Sequence, residues 1–201
     1  MIWLRELPRA LISNYIKCFN KSLEIKGRAS RFQFWGFIVV ALAIGILLEI
    51  LYLISEPLLP LVKIYIVTIF LPTAAVSIRR LHDINKSAWT LLWTGIYTTA
   101  LYFIIKMFSE FFIMFDIFGV IATLVILLFP LVRLLQQLSL RGNSYENDFG
   151  DAVRENKIHE QTARYLGIVM IVLYFSVLIF PMLAIMYKVT GTFNILPLLF
   201  P

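Results

Sequence analysis

The sequence predicts an all-α protein, a polytopic transmembrane helix bundle of about five spans with an N-terminal amphipathic interfacial helix. Three observations predict this fold. Hydrophobic residues make up 60% of the 201 residues and charged residues only 15%, and the mean hydropathy is +0.85. Several apolar runs approach the roughly 20 residues that cross a bilayer as a helix. Almost all Lys and Arg residues fall in the segments on one side of those runs.

The composition also excludes several classes of protein. A soluble domain of this length could not bury so much apolar surface, since ordinary domains are roughly half apolar and a quarter charged. A net charge of +6 would suggest nucleic acid on a soluble protein. Here the basic residues mark one side of a membrane, so we expect no nucleic-acid partner. The single cysteine, Cys18, excludes an intrachain disulfide, and without Cys-His metal spacing we expect neither a metal nor a cofactor.

The first segment, residues 1–33, is predicted to be amphipathic and interfacial. Residues 8–24 have the periodicity of a helix with one apolar face and one polar face. Such a helix lies in the plane of the membrane surface, although the same pattern also suits a helix that packs on a partner protein. The predicted apolar face holds Leu7, Leu11, Ile12, Tyr15, Ile16, Phe19 and Leu23, and the polar face holds Arg9, Asn14, Lys17, Asn20, Lys21 and Glu24.

A four-span membrane domain is predicted over residues 34–152. Ser30 is the expected N-cap of the first span, and Ala41 and Gly45 have the spacing that allows helices to approach closely. Pro72 should bend the second span, because its ring removes a backbone donor. A linker, a fifth span and an outer tail are predicted over residues 153–201. The five predicted spans cover residues 34–54, 61–77, 88–105, 111–132 and 165–187.

Two polar stretches interrupt the apolar pattern. Residues 79–89 form the connection between the second and third spans and concentrate charged and polar side chains. Residues 141–151 are predicted to be an ordered polar loop, followed by a charged and partly helical linker. His159 and Glu160 stand on that linker, and we expect both to lie on its solvated surface.

The distribution of basic residues predicts the orientation in the membrane. With the N-terminus inside, all but three of the 18 Lys and Arg residues lie on the cytoplasmic side. The three exceptions are Lys63, Lys106 and Lys188. This asymmetry predicts that the N-terminus is cytoplasmic and the C-terminus is outside.

Three short motifs give the chain a resemblance to a known family. Residues 27–35 hold Gly-Arg-Ala-Ser-Arg followed by Phe-Trp, residues 79–89 hold Arg-Arg-Leu-His-Asp followed by Lys-Ser and Trp, and residues 142–151 hold spaced Gly, Asn, Phe, Gly and Asp. In these motifs the chain resembles domain-of-unknown-function family 805, small bacterial inner-membrane proteins, over roughly residues 10–152. The resemblance implies an integral inner-membrane protein, usually with about four spans and without an established biochemical activity.

The chain departs from the family pattern at a few positions. Ile84-Asn85 stands where a Thr-Gly pair is common, and Asp151-Ala152 replaces an Asp-Pro ending. Ala88 replaces a glycine and Thr90 a second tryptophan. The fifth predicted span lies outside the resemblance.

Because all three motifs fall on the same predicted side, their polar residues are expected to meet at one membrane surface. Arginine binds phosphate groups in a bidentate way, so such a cluster suits an anionic head group or another anionic ligand. A purely structural role is the alternative, in which arginines anchor helix ends and Asp83 pairs with one of them. The candidate cluster consists of Arg28, Ser30, Arg31, Arg79, Arg80, His82, Asp83 and Lys86.

Charged residues within spans are the usual indication of a transport path. Glu49 lies about six residues inside the first span, and Asp116 lies near the start of the fourth. Catalytic templates are absent: the chain has no Walker loop, no His-Glu-x-x-His and no Gly-x-Ser-x-Gly. We therefore expect no catalytic residues.

These observations favour a non-enzymatic membrane protein that acts by association, as a scaffold, a regulator or a subunit of an envelope complex. Its expected partners are anionic membrane lipids and other proteins or further copies of the same chain. One alternative is a transporter of small solutes or ions that uses Glu49 or Asp116. A second is a membrane-embedded enzyme that uses His82 and Asp83.

Overall fold

The computed structural model describes residues 2–107 and 129–172 of the chain. Its secondary structure within those ranges is helical and includes no strand, so the predicted all-α class is confirmed for the described residues. The elements are α1 (Ile2–Asn20), α2 (Arg31–Ile54), a 3-10 turn (Glu56–Leu58), α3 (Leu59–Asp83), α4 (Trp89–Met107), α5 (residues 129–139) and α6 (residues 157–172).

Two of the described helices, α2 and α3, are long and apolar enough to cross a membrane. Their most apolar windows have mean hydropathies of 2.8 and 2.0, and only 11% and 28% of those windows are buried inside the protein. Both helices therefore present most of their apolar surface outward. Helix α4 coincides with the predicted third span, whereas most of the predicted fourth and fifth spans lies outside the described residues.

Helix α3 is longer than predicted at its C-terminal end. The pattern predicts a span that ends at residue 77, but the helix continues through Arg79, Arg80 and His82 and ends at Asp83. The helix can continue because Arg79, Arg80 and His82 each have a hydrogen-bond partner within the protein. Their polar side chains therefore do not have to be exposed to water in a loop. The connection to α4 is consequently only residues 84–88. Helix α3 also continues through Pro72.

The face of helix α1 that packs on α2 includes a residue of its predicted polar face. Asn14, predicted to be on the polar face, is buried and donates to the Gln33 carbonyl at 3.0 Å. Ile12 and Ile16, predicted to be on the same apolar face as Tyr15, are 55% and 51% exposed. The polar contact is favoured because the buried Asn14 amide needs a hydrogen-bond partner and finds an acceptor in the Gln33 carbonyl.

Helices α2 and α3 approach each other at the small residues of α2. The Tyr65 hydroxyl of α3 donates to the Ala41 carbonyl at 2.6 Å, and a Cβ at Gly45 would lie 3.5 Å from the Tyr65 ring. Small side chains at these two positions leave room for the aromatic ring. The contact occurs where the Ala41–Gly45 spacing predicts a close approach of helices.

The chain forms two compact units. The first comprises Met1–Leu92 and Leu134–Ile168, and it contains α1, α2, α3 and the polar loop. The second comprises Trp93–Arg133 and Val169–Pro201. In the described part of the second unit, the Arg133 guanidinium lies 5.3 Å from the centre of the Phe129 ring.

Candidate functional site

Three separate parts of the chain meet at one end of the α2–α3 pair. They are residues 27–31 before and at the start of α2, residues 79–83 at the end of α3, and residues 138–151 at and after the end of α5. The Ala29 N–H donates to the Arg79 carbonyl at 2.9 Å, and the Asn143 N–H donates to the Asp83 carbonyl at 2.8 Å. The structure thus brings the three sequence motifs together in one cluster, which we call the polar cap.

Asp83 is the charged centre of the polar cap and pairs with two arginines. The Nε of Arg28 donates to Oδ1 at 2.9 Å, and Nη1 of Arg80 donates to Oδ2. The three side chains are almost inaccessible, with 1% of Arg28, 0% of Arg80 and 6% of Asp83 exposed. Since both carboxylate oxygens are engaged by guanidinium groups, Asp83 is held in place as a structural counter-ion.

The remaining donors of Arg28 hold the polar loop. Its Nη1 donates to the Tyr145 carbonyl at 2.8 Å and to the Gly150 carbonyl at 3.1 Å, and Nη2 donates to the Asn143 carbonyl. All donor nitrogens of this guanidinium are therefore directed at protein acceptors. A planar fork with five N–H groups suits this task, because it reaches several acceptors at once.

Arg80 plays the corresponding role at the end of α5. Its Nε donates to the Leu138 carbonyl at 2.9 Å, and its Nη2 donates to the Leu140 carbonyl. The last carbonyls of a helix lack partners within the helix and carry partial negative charge, which favours a cation there. Arg80 thus caps α5 from another helix. Asp83 has one negative charge for two arginines, and the carbonyl dipoles at the end of α5 offset the remaining positive charge.

The polar cap requires a glycine at position 142. A Cβ built on Gly142 would overlap the carboxylate of Asp83. The backbone of the loop can reach this carboxylate only because the residue has no side chain.

His82 and Asn147 fasten the loop on the other side of Asp83. The His82 Nδ1 lies 3.0 Å from the Gly27 carbonyl, and since a carbonyl only accepts, Nδ1 carries the hydrogen. The His82 ring stacks on Phe149 with 3.9 Å between ring centres. The Asn147 amide donates to the His82 carbonyl at 2.9 Å. His82 is therefore buried as part of the packing between α3 and the loop.

The turn after α3 is tight although asparagine stands where the resemblance implies a glycine. Asn85 has a φ of 57°, a left-handed conformation that asparagine tolerates better than most residues. The Asn85 N–H donates to the His82 carbonyl at 3.0 Å, and the Lys86 N–H donates to the Leu81 carbonyl at 2.9 Å. Asparagine at position 85 thus allows the tight turn.

The start of α2 is capped by two side chains. Ser30 accepts from the Gln33 N–H at 3.2 Å and Gln33 returns the bond to the Ser30 N–H, which confirms Ser30 as the predicted N-cap. A second cap comes from Glu155, which accepts from the Phe32 N–H at 2.9 Å. No pattern in the sequence indicates that Glu155 caps this helix, because Glu155 lies 123 residues from Phe32 along the chain.

Glu160 gathers three arginines beside the start of α2. Its Oε1 lies 2.9 Å from Nη2 of Arg31, 3.4 Å from Nη2 of Arg164 and 3.8 Å from Nε of Arg141. The neighbouring His159 stacks on Phe32 with 4.2 Å between ring centres. His159 and Glu160 are therefore only partly solvated, contrary to the expectation of a fully solvated surface, because both contact the first turn of α2.

Two further candidate residues lie apart from these pairs. Arg79 is buried and donates to the Ala75 carbonyl at 3.3 Å, while its Nη2 has no hydrogen-bond partner among the described residues. Lys86 lies in the turn between α3 and α4 and is partly exposed. The predicted cluster is therefore divided: Arg28, Arg80 and Asp83 form its buried core.

A polar cleft of about 140 Å³ opens between the polar cap and the Glu160 cluster. Its wall combines three arginines with three carboxylates and the backbone and side chains of the loop. The lining residues include Ser30, Arg31, Arg141, Asn143, Ser144, Glu155 and Glu160.

The two predicted intramembrane charges do not belong to this site. Glu49 is exposed on α2, near the end of the helix opposite the polar cap. Within the described residues it forms no ion pair with Lys63, which is also exposed. Asp116 lies outside the described residues.

Cys18 lies buried between α1 and the start of α2. Its Sγ lies 3.8 Å from the Gln33 carbonyl and 3.8 Å from Oδ1 of Asn14. Burial raises the pKa of the Cys18 thiol above its ordinary value of 9.0, although the positive charges of Arg79 and Lys21 act in the opposite direction. The thiol is thus neutral and protected.

Comparisons with known proteins agree with the motifs. A family model described as "Protein of unknown function (DUF805)" matches residues 22–151. The chain is 36% identical over 80 residues to inner membrane protein YhaI of Escherichia coli (strain K12), across 39% of this chain and 68% of the relative. It is 35% identical over 87 residues to inner membrane protein YhaH of the same strain, across 39% of this chain and 69% of the relative. No solved structure matches.

Proposed function

The chain belongs to the DUF805 family of proteins of unknown function, and on that premise we propose that it is an inner-membrane protein that acts by association. The location is supported by the relatives, which are named inner membrane proteins. It is also supported by α2 and α3, whose apolar surface faces outward. Lipid is the environment in which such surfaces are stable.

We propose an arrangement of five spans with the polar cap on the cytoplasmic side. The excess of Lys and Arg in the segments on that side supports this orientation. On this arrangement α1 lies on the membrane surface, where the exposed Ile12 and Ile16 insert between lipids. The N-terminus is cytoplasmic and the C-terminus is outside.

Labelling of single cysteines tests the orientation. In a Cys18→Ala background, cysteine is placed at Lys86 in the turn beside the polar cap, or at Ser55 at the opposite end of α2. A membrane-impermeant maleimide should label position 55 in intact spheroplasts, and position 86 only after lysis. Labelling of position 86 in intact spheroplasts would contradict the orientation.

The observation that carries the association proposal is how the polar cap uses its charges. Arg28, Arg80 and Asp83 are buried and engaged with one another and with loop carbonyls, which suits a rigid support. Meanwhile many large apolar side chains of the two candidate spans are exposed. They include Leu42, Ile46, Leu47, Leu53, Ile54, Ile64, Val67 and Phe70. We propose that these faces contact other membrane helices.

Photo-cross-linking in living cells tests this proposal. A photoreactive amino acid at Ile46 or Phe70, which are 60% and 68% exposed, should give discrete protein adducts. The same amino acid at Gly95 on α4, where a Cβ would meet nothing within 4 Å, shows whether adducts form at any lipid-facing site. Two differently tagged copies distinguish self-association from another partner. Adducts to lipid alone from Ile46 and Phe70 would refute association through these faces.

Transport is a second candidate, and Glu49 is the observation that favours it. A carboxylate on the exposed face of an apolar helix is costly in lipid, so it needs a polar partner or water. If Glu49 lines a path for a small solute or ion, Glu49→Gln should abolish the uptake of that solute or ion, while the amount of this protein in the membrane stays constant. Survival of the photo-adducts in that variant would separate transport from association.

A further inference from the structure

The cluster around Glu160 contains more positive charge than it can neutralise. Three guanidinium groups, from Arg31, Arg141 and Arg164, lie within 3.8 Å of the same carboxylate oxygen. One carboxylate balances one of them. Two positive charges therefore remain in a small region at the start of α2.

The three arginines are not equivalent. Arg31 is the inner member, with 10% of its side chain exposed and a 2.9 Å hydrogen bond to Glu160. Arg141 and Arg164 are 71% and 59% exposed, and Glu160 is their only ion-pair partner among the described residues. Most N–H donors of these two outer arginines are consequently available to a ligand.

The polar cleft gives such a ligand a place to bind. Arg31, Arg141, Glu160, Asn143 and Ser144 are among the residues that line this space of about 140 Å³. The other carboxylates of the wall are already engaged, since Asp83 pairs with two buried arginines and Glu155 accepts from the Phe32 N–H. Glu155 keeps its negative charge, but the polar cap and the Glu160 cluster together hold five arginines and only three carboxylates, so a net charge of +2 remains. The exposed Arg141 and Arg164 present this excess charge to solvent.

We infer that Arg31, Arg141 and Arg164 form a binding site for a phosphate group, with the cleft receiving its substituent. Guanidinium groups bind phosphate oxygens in pairs, and two outer arginines with free donors match this geometry. The phosphate belongs either to a phospholipid head group or to a soluble phosphate ester. Only the lipid source depends on the proposed membrane location: Arg31 begins the apolar helix α2, which is the depth at which head groups lie.

The site differs from the cluster that the sequence suggested. Arg28 and Arg80 of that cluster are directed at protein acceptors, whereas Arg141 and Arg164 come from the segments that follow α5. Only Arg31 is common to both. The inference therefore assigns ligand binding to residues outside the Arg-Arg-Leu-His-Asp motif.

Binding of phosphatidylglycerol to the full chain in neutral detergent, followed by native mass spectrometry, tests the inference. The double variant Arg141→Gln/Arg164→Gln should bind this lipid about tenfold more weakly than the wild type. The matched control is Arg154→Gln/Lys157→Gln, which removes two exposed positive charges from the same part of the chain and should bind like the wild type. Equal binding by the first variant, or an equal loss in the control, would overturn the site.

Two further measurements sharpen the result. Glu160→Gln removes the competing carboxylate, so the folded variant should bind phosphatidylglycerol more tightly; equal or weaker binding would contradict the inference. Protection of the buried Cys18 from alkylation shows that each variant is folded.

Excess inorganic phosphate is then added: displacement of the lipid indicates that a soluble phosphate suffices, and retention indicates a lipid site. Either outcome supports a phosphate site, and neither depends on the photo-cross-linking of α2.

Discussion

At the scale of single residues, the polar cap depends on one carboxylate between two buried arginines. Removing charges from water is costly, and the attraction between Asp83 and its partners offsets that cost only when every donor finds an acceptor. Arg28 and Arg80 meet this condition by donating to carbonyls at both ends of the polar loop. The charges thus determine where the loop lies against α3.

Replacing Asp83 by Asn should strongly destabilise the first compact unit. The variant leaves two buried guanidinium groups without their counter-ion, at a cost of about 3 kcal/mol or more. Unfolding in detergent, followed through alkylation of Cys18, measures this cost. Glu24→Gln, which breaks the exposed Lys21–Glu24 pair, is the control and should unfold like the wild type. Equal stability of the Asp83 variant would show that the pair contributes little.

Replacing Gly142 by Ala tests the close contact of the loop with Asp83. The added methyl group overlaps the carboxylate, so we expect a loss of about 1–3 kcal/mol from the forced displacement. The matched control is Gly95→Ala in α4, where a Cβ would meet no atom within 4 Å. That variant should be neutral or more stable by up to about 1 kcal/mol, because alanine favours the helix. Thermal unfolding in detergent compares the two.

The buried thiol of Cys18 should make stability depend on pH in the alkaline range. Its pKa is higher in the folded state than the ordinary 9.0, so the folded protein holds the proton more tightly. The corresponding stability is fully present below pH 9.0 and is lost as the pH rises towards the folded pKa. Urea unfolding at increasing pH measures this loss. Cys18→Ala should have a flatter alkaline profile, and identical profiles would contradict the assignment.

At the scale of elements, each helix end of the polar cap is satisfied by a distant part of the chain. Glu155 completes the cap of α2, Arg80 caps α5, and Asn147 binds the last turn of α3. Unsatisfied backbone groups at buried helix ends are costly, so these contacts stabilise the ends and hold the elements together. The segment that follows α5 is thus part of the structure of α2 and α3, and α3 in turn caps α5.

Replacing Arg28 by Lys should release the polar loop. An ammonium group has three donors and no planar fork, so it cannot bind Asp83 and the carbonyls of Tyr145 and Gly150 together. Limited trypsin digestion should then cut faster after Arg141 and Arg154, and mass spectrometry identifies the fragments. The control is Arg9→Lys on the exposed side of α1, which should be cut at the wild-type rate. Unchanged digestion of the Arg28 variant would mean that other contacts suffice to hold the loop.

At the scale of the whole molecule, the first compact unit combines an apolar exterior along α2 and α3 with a polar cap at one end of these helices. Along α2 and α3 large hydrophobic side chains are exposed, whereas at the polar cap charged side chains are buried. This distribution is the reverse of a water-soluble protein, in which apolar residues are inside and charges outside. It is the distribution expected when lipid surrounds the helices and water reaches only their ends.

The exposed apolar surface of α2 and α3 predicts which treatments extract the protein from membranes. Washing membranes with alkaline carbonate should leave the chain in the pellet, since carbonate removes proteins held at the surface by charge but not helices within lipid. Detergent should extract it. Immunoblotting of both fractions, with a known peripheral protein as the control, checks the expectation. Release of the chain by carbonate would contradict the proposed spans.

Much of this architecture follows from local features of the sequence. Composition and long apolar runs predict an all-α membrane protein, and Ser30 before the first apolar run predicts the N-cap of α2. The shared side of the three motifs predicts that they meet. Such features can be predicted from a sequence because helix formation, capping and hydrophobic periodicity depend on residues within a few positions of one another.

The partners within the cluster follow from the folded chain. Arg28 lies 55 residues from Asp83, and Arg31 lies 129 residues from Glu160. No periodicity connects such distant positions, so the sequence did not reveal the role of Glu155 or the partners of Glu160. It also did not predict that Asn14 is buried against α2. The position of the loop against α3 decides which arginines donate to carbonyls and which keep donors free for a ligand. In a buried site, the partners of a side chain are therefore determined by the tertiary structure and not by its neighbours in sequence.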